Sequence, residues 1–290
     1  MNGFLILDKP EGITSAKCVY ELRSRLGIKK IGHCGTLDPL ATGLLPICIG
    51  EATKFSNYAS DLDKIYEVGI KFGIETDTGD ITGKVIVNAQ FSLVEEDLRQ
   101  SIQKLVGLQS QIPPMYSALK VRGKPLYYWA RKGVYINREP RTIDINHLEL
   151  MELSKNTAKL RVSCSKGTYV RSLVEKLGRD LTTFATMKSL RRLQVGRIKL
   201  DSQSCSFEDT NESLIKKILP CDLMLQAMDK VDLNLEDAKK FRNGLSIDYN
   251  AQLENNELVR IYTEEDLFVG IGKFESNKIL PKRLLSTDLN

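Results

Sequence analysis

The chain has 290 residues, 42% of them hydrophobic and 27% charged, with a formal net charge of +5. That length allows one large domain, or one large and one small, and the apolar share excludes wholesale disorder. No run of about 18 apolar residues occurs, which argues against a membrane span, and the six cysteines, none in a C-x-x-C pair, beside only two histidines argue against a zinc site and for reduced, packed thiols.

The opening MNGFLILDKPEG lacks the basic region and long apolar stretch of a secretory signal, so a cytoplasmic location is expected. GFLIL is a short apolar run that reads as a strand. SAKCVYELRSRLG places Val19, Leu22 and Leu26 on one helical face, with Ser15 as the cap and Gly27 as the stop. The segment KIGHCGTLDPLATGLLPICIGEATK (30–54) follows, a glycine-rich loop with a lone His33 and the step Asp38-Pro39, then a buried strand in LLPICIG. IYEVGIKFGI alternates, with Tyr66, Val68, Ile70, Phe72 and Ile74 on one side, the period of a half-buried antiparallel strand. After TDTGDITG and the strand-like KVIV, Ser92 and Glu95 form a capping-box pattern before a helix lined by Val94, Leu98, Ile102 and Leu105 and closed by Gly107. AKLRVSC alternates again, and TYVRSLVEKLG has helical spacing at Val170, Leu173, Val174 and Leu177.

Strands and helices mix without a regular β-α-β rhythm, which predicts an α+β domain with a mostly antiparallel sheet. Residues 200–230 turn acidic and read as helical. LEDAKKFRNGL then predicts a short helix, and LVRIYT, LFVGIGKF and KILPKRLL predict small strands, together a β-rich C-terminal unit of roughly 60 residues.

Charge is unevenly spread. Residues 120–142 hold seven Lys/Arg against one Glu, and residues 166–199 hold nine against two acids. From 200 to 240 the sign reverses, with nine acids against five bases. Two basic blocks point to a polyanionic partner. Phosphate-loop, dinucleotide-loop, zinc-protease and serine-hydrolase patterns are absent from the sequence. Taken singly, Asp38-Pro39 is a turn signal, Tyr66 a core residue and Arg171 a surface charge. Trp129 is expected to pack its helix onto the core.

In combination, GFLILDKPEGITS, KIGHCGTLDPLATGLLPICIGEATKF, DKIYEVGIKFGIETDTGDITG, IPPMYSALKVRGKPLYYWARKG, CSKGTYVRSLVEKLG and SLRRLQVG resemble the TruB family, the tRNA pseudouridine-55 synthases. The likeness runs from residue 3 to about residue 200 and more weakly beyond. It implies a catalytic domain of pseudouridine-synthase type over residues 1–228, with segment 120–142 folding over bound RNA. A small PUA-like RNA-binding domain would follow over residues 229–290.

The resemblance implies isomerisation of uridine to pseudouridine in the T arm of tRNA, with no metal and no cofactor. It makes Asp38 the nucleophile, Arg171 its partner and Tyr66 the ring stacked on the flipped base and candidate for C5 proton transfer. A carboxylate must be ionised to attack, and a nearby guanidinium favours that form. Tyr169 and Leu190 match positions lining the base pocket, and His33 matches a histidine that holds the T loop open. Lys9 and Pro10 match a motif supporting the floor of the site. Asp80 is expected to orient Arg171. Cys34 fills a position taken as permissive.

The partner expected is tRNA, with no DNA, no membrane and no obligatory protein partner, the enzyme acting as a monomer. The rival reading is a non-catalytic tRNA-binding folding helper. Less favoured are the catalytic subunit of a guide-RNA particle and a basic DNA-binding protein.

Overall fold

A computed structural model describes residues 1–250 and 253–286. The ends of the expected C-terminal unit at 287–290, and residues 251–252 within it, lie outside the described residues. In chain order β1 (Gly3–Lys9) leads into α1 (Ser15–Leu26), then β2 (Ile31–His33) and β3 (Thr42–Ile49) flank the glycine-rich loop. A 3-10 turn and α2 (Ser56–Asp61) precede β4 (Lys64–Phe72), followed by the hairpin of β5 (Ile74–Thr76) and β6 (Val85–Asn88). Next come α3 (Glu95–Lys104), β7 (Gly107–Gln111), the small hairpin β8 (Lys120–Val121) and β9 (Lys124–Pro125), and α4 (Leu126–Ala130). The long strands β10 (Arg141–Leu153) and β11 (Thr157–Cys164), α5 (Val170–Asp180), β12 (Ala185–Val195) and β13 (Ile198–Lys199) complete the first unit's regular core. After α6 (Asn211–Lys216) the chain forms β14 (Asp229–Leu233), α7 (Leu235–Arg242), β15 (Ile247–Asp248), β16 (Leu258–Thr263), β17 (Phe268–Glu275) and β18 (Lys278–Leu284).

The architecture is α+β, as the sequence pattern predicts. A nine-stranded sheet runs β1-β3-β12-β4-β11-β10-β7, with β2 on β3 and β13 on β12. Its ladders are antiparallel except for a short parallel contact that pairs Thr42 with Arg191 and Gly43 with Arg192. A second sheet runs β14-β16-β17-β18-β15.

The large sheet is covered on both faces where it starts, and the sequence shows why. Along β1, Leu5 and Leu7 join one core cluster with Leu22 of α1, whereas Phe4 and Ile6 join another with Phe55 and Ile271. A strand buried on both sides reads as a continuous apolar run, hence GFLIL and LLPICI. Strand β4 instead alternates, with Lys64, Tyr66, Val68, Ile70 and Phe72 on the buried side. Gly73, with φ of 89°, breaks the strand, so Ile74 opens β5 and is only half-buried.

Several local expectations shift by a residue or more. Thr14, not Ser15, caps α1, its side chain accepting from Lys17 N. Ser15 is instead buried and bridges to the glycine-rich loop, accepting from Leu37 N at 2.9 Å and donating to Leu37 O at 3.0 Å. Ser92 caps nothing: α3 begins after Val94 with no side-chain cap, and Val94 is exposed while Leu98, Ile102 and Leu105 are buried. Within residues 200–230 the only helical pieces are the six-residue α6 and a 3-10 turn over Leu223–Leu225, and β14 begins at Asp229. Trp129 packs on its own segment rather than on the core, its indole N–H donating to Val121 O at 3.3 Å and its ring edge-on to Tyr128. All six cysteines are free and buried.

Candidate active site

The glycine-rich loop between β2 and β3 is held from three sides. Beneath it lies Lys9, fully buried, whose Nζ donates to Ala41 O at 2.6 Å, Pro10 O at 2.9 Å and Pro39 O at 3.3 Å. Three carbonyls satisfy the three donors of an ammonium, so this cation organises backbone. Burial lowers its pKa from the usual lysine value. On the second side stands Ser15. On the third is Arg192, 1% exposed, donating from Nε to Leu44 O at 2.7 Å and from Nη2 to Gly35 O at 3.0 Å. The loop that presents Asp38 is therefore rigid by construction.

Asp38 faces Arg171, the second residue of α5. The guanidinium Nε lies 3.0 Å from Oδ2, and Nη2 donates to Oδ1 at 3.4 Å. Arg171 is itself 5% exposed and donates to Thr78 O at 2.8 Å and Tyr116 O at 2.7 Å, so its orientation is fixed by two further segments. Burial raises the Asp38 carboxyl above its ordinary value, and the guanidinium opposes that rise without cancelling it. The net direction is thus opposite to what the ion pair alone suggests.

Asp38, Arg171, Tyr66, Tyr169 and Leu190 all line one cavity of 270 Å³. Tyr66 is 8% exposed, and burial raises the phenol pKa, with Arg192 opposing. Tyr169 is fixed by Gln111, which accepts from its N–H at 2.8 Å and donates to its carbonyl at 3.1 Å. Leu190 sits opposite Val68 in the β12–β4 ladder.

Lys9 and Pro10 lie beneath the loop rather than on the cavity wall, and Asp80 and His33 do not join this group either. Asp80 makes no hydrogen bond or ion pair with Arg171 among the described residues; its carboxylate accepts from Thr78 Oγ1 at 3.1 Å and Thr82 N at 3.0 Å. It shapes the turn whose Thr78 carbonyl holds Arg171, which is indirect orientation. His33 ends β2 opposite Ile47 and lies outside the cavity wall. Its Nδ1 is buried with no hydrogen-bond partner among the described residues, and burial, with Arg192, lowers the imidazole pKa, leaving a neutral ring near pH 7.

Sequence reasoning passed over Lys64, Ser117 and Arg192, all on the cavity wall. Arg192 and Lys64 occupy inward positions of alternating strands, where a cation is a detectable anomaly. Nothing in the sequence marks Ser117.

Two family models match the chain: "TruB family pseudouridylate synthase (N terminal domain)" over residues 23–170 and "Pseudouridine synthase II TruB, C-terminal" over residues 230–285. The chain belongs to the TruB family. It is 41% identical to the tRNA pseudouridine synthase B of Dechloromonas aromatica (strain RCB), covering 98% of this chain and 96% of that one. It is equally 41% identical to the tRNA pseudouridine synthase B of Clostridium kluyveri, over 94% of this chain and 95% of that one. Among solved structures, a chain of a Cbf5-Nop10-Gar1 complex superposes with a TM-score of 0.78 at 24% identity, covering 97% of this chain and 84% of that one. At that identity the likeness is one of fold. As a TruB-family member the chain is a pseudouridine synthase, and the cavity between the Asp38 loop, β4 and α5 brings a carboxylate, a guanidinium and a phenol together.

Proposed function

We propose that this TruB-family enzyme converts uridine 55 in the T arm of tRNA to pseudouridine, acting as a monomer without a metal or cofactor. The observation that carries the reading is the Asp38–Arg171 pair opening onto a cavity that also holds Tyr66. Asp38 is the nucleophile: its side chain is 34% exposed, enough to meet a substrate, while the bound guanidinium fixes its direction. The target base leaves its stack to reach a cavity of this size, and Tyr66 and Leu190 offer it a ring face and an apolar wall. Tyr66 is also placed to carry the C5 proton. Its buried phenol remains neutral at pH 7 and so has a proton to exchange.

Residues 1–228 form the catalytic unit and residues 229–290 an RNA-binding module of PUA type. Segment 120–142 covers the bound RNA. Its cations stand over aromatic rings, Lys132 Nζ 4.6 Å from the Tyr128 centroid and Arg138 4.7 Å from that of Tyr135, leaving charge displayed at the surface for phosphates. His33 holds the opened T loop.

The test is tritium release from C5-labelled uridine in an unmodified tRNA transcript, with purified protein and neither metal nor nucleotide added. Asp38→Asn is expected to abolish release while tRNA binding stays within several-fold of wild type. Release by the variant would remove Asp38 from its role, and binding without release by the wild type would favour a folding helper.

A further inference from the structure

Lys64 opens β4 two residues before Tyr66, so both side chains leave the strand on the same face. Both line the catalytic cavity. The lysine is 6% exposed, and its Nζ donates to Ser60 O at 2.6 Å and to Leu62 O. Both acceptors are neutral. The two nearby acids are engaged elsewhere, Asp61 with Lys166 at 2.9 Å and Asp63 with Asn146 at 3.1 Å. An ammonium has three donors, so one remains.

The charged side chains on the cavity wall are Asp38, Lys64, Arg171 and Arg192, three cations against one carboxylate. Arg171 is committed to Asp38 and two carbonyls, and Arg192 to Leu44 O and Gly35 O. Lys64 too has a donor to spare, and its two hydrogen-bond acceptors are neutral carbonyls rather than a carboxylate. Its two carbonyl contacts at the end of α2 explain how it is held, but a buried cation with no anion beside it is costly. A site that meets negative charge only during reaction has a use for such a group.

We propose that Lys64 is a catalytic residue that stabilises the negative charge developing on the uracil ring during isomerisation. The inference rests on the uridine chemistry assigned to this cavity. On the route through C1′, an Asp38 oxygen bonds to C1′ as the C1′–N1 bond breaks, and that electron pair stays on the ring as a uracil anion shared by O2 and O4. After the ring turns, C5 donates a pair to C1′ and the carboxylate departs. The C5 proton is then removed and N1 is protonated, so charge balances. Attack at C6 instead places the same charge on the ring as an enolate at O4. Lys64 keeps its proton throughout and acts by charge.

Burial, with Arg192 of β12, lowers the Lys64 pKa to about 8, opposed by Cys164 of β11, by Asp61 at the end of α2 and by Asp63 just after it. The ammonium is therefore present at neutral pH and lost as pH rises through that value.

The experiment compares wild type, Lys64→Met and Lys64→Arg in single-turnover tritium release, with tRNA Kd and Tm measured for each. Lys64→Met is expected to slow release by about 10²–10³-fold, the usual consequence of losing one charge-stabilising donor, with Kd within about threefold. Lys64→Arg is expected to recover most of the rate. Wild-type kcat/KM is expected to fall above about pH 8, whereas the arginine variant stays level to pH 9. A methionine variant as fast as wild type overturns the proposal. So does an equal loss in both variants with a lowered Tm, which makes Lys64 only the clasp of α2. If wild type releases no tritium, it is the assigned function that fails.

Discussion

Asp38 shows how much a single side chain owes to its setting. The carboxylate proposed as nucleophile needs to be ionised, yet burial pushes its pKa up, and the guanidinium 3.0 Å away, helped by Lys9, restrains the rise. The acid limb of kcat/KM reports the free-enzyme pKa of that group. With Asp38 as the proposed nucleophile, activity is expected above this pKa and is expected to be lost as pH falls through it. Replacing Arg171 by Met removes the opposing charge, so the limb is expected to move to higher pH by on the order of 1–3 units. A pH–rate profile of the variant checks this, and an unmoved limb would detach Arg171 from the ionisation of Asp38. The variant is also expected to be less stable at pH 7 than at pH 5. A carboxyl whose folded-state pKa is raised favours folding below its ordinary range and loses that contribution as pH climbs through the raised value.

Between β3 and β12 the decisive feature is backbone proximity. Gly43 has φ of 96°, and a Cβ added there would stand 2.3 Å from the carbonyl oxygen of Arg192. This is where β3 and β12 pair in parallel. Both neighbours of the junction carry the site, because β3 follows the Asp38 loop and β12 supplies Leu190 and Arg192. Gly43→Ala is expected to cost about 2–4 kcal/mol, from strained φ plus overpacking against backbone that cannot swing aside. Urea unfolding measures the loss. A change within 0.5 kcal/mol, roughly the spread of neutral substitutions, would show that the two strands separate easily.

At the scale of the molecule, the two sheets share a core. Phe55, fully buried, meets Phe268 with ring centroids 5.5 Å apart, and Ile271 and Leu285 pack with Phe4, Leu44 and Leu225. Lys54 Nζ reaches Leu284 O at 2.8 Å across the same junction. Removing residues 229–290 is therefore expected to destabilise what remains, each uncovered large apolar side chain costing about 1.5–3 kcal/mol when fully exposed. Calorimetry and binding of an apolar dye to the 1–228 fragment test this. A fragment with unchanged Tm would mean that the C-terminal unit is merely appended.

Local periodicity, which the sequence carries by itself, determined most of the elements. The alternation in β4 and β11, the double-sided burial of β1 and β3, and the helical stripe of α5 all follow from one residue's relation to its near neighbours. The glycine-rich block and its companions likewise sufficed for the family. Caps were less legible: Thr14 and Ser15 are both competent, and the choice fell to whichever hydroxyl the Asp38 loop needed as a partner. What only the tertiary structure decided is the meeting of distant charges. Asp38 and Arg171 are 133 positions apart and become partners because α5 docks beside the loop. The balance that raises the Asp38 pKa, the three carbonyls around Lys9 and the surplus donor of Lys64 depend on which surfaces exclude water, and burial is a property of the packed whole.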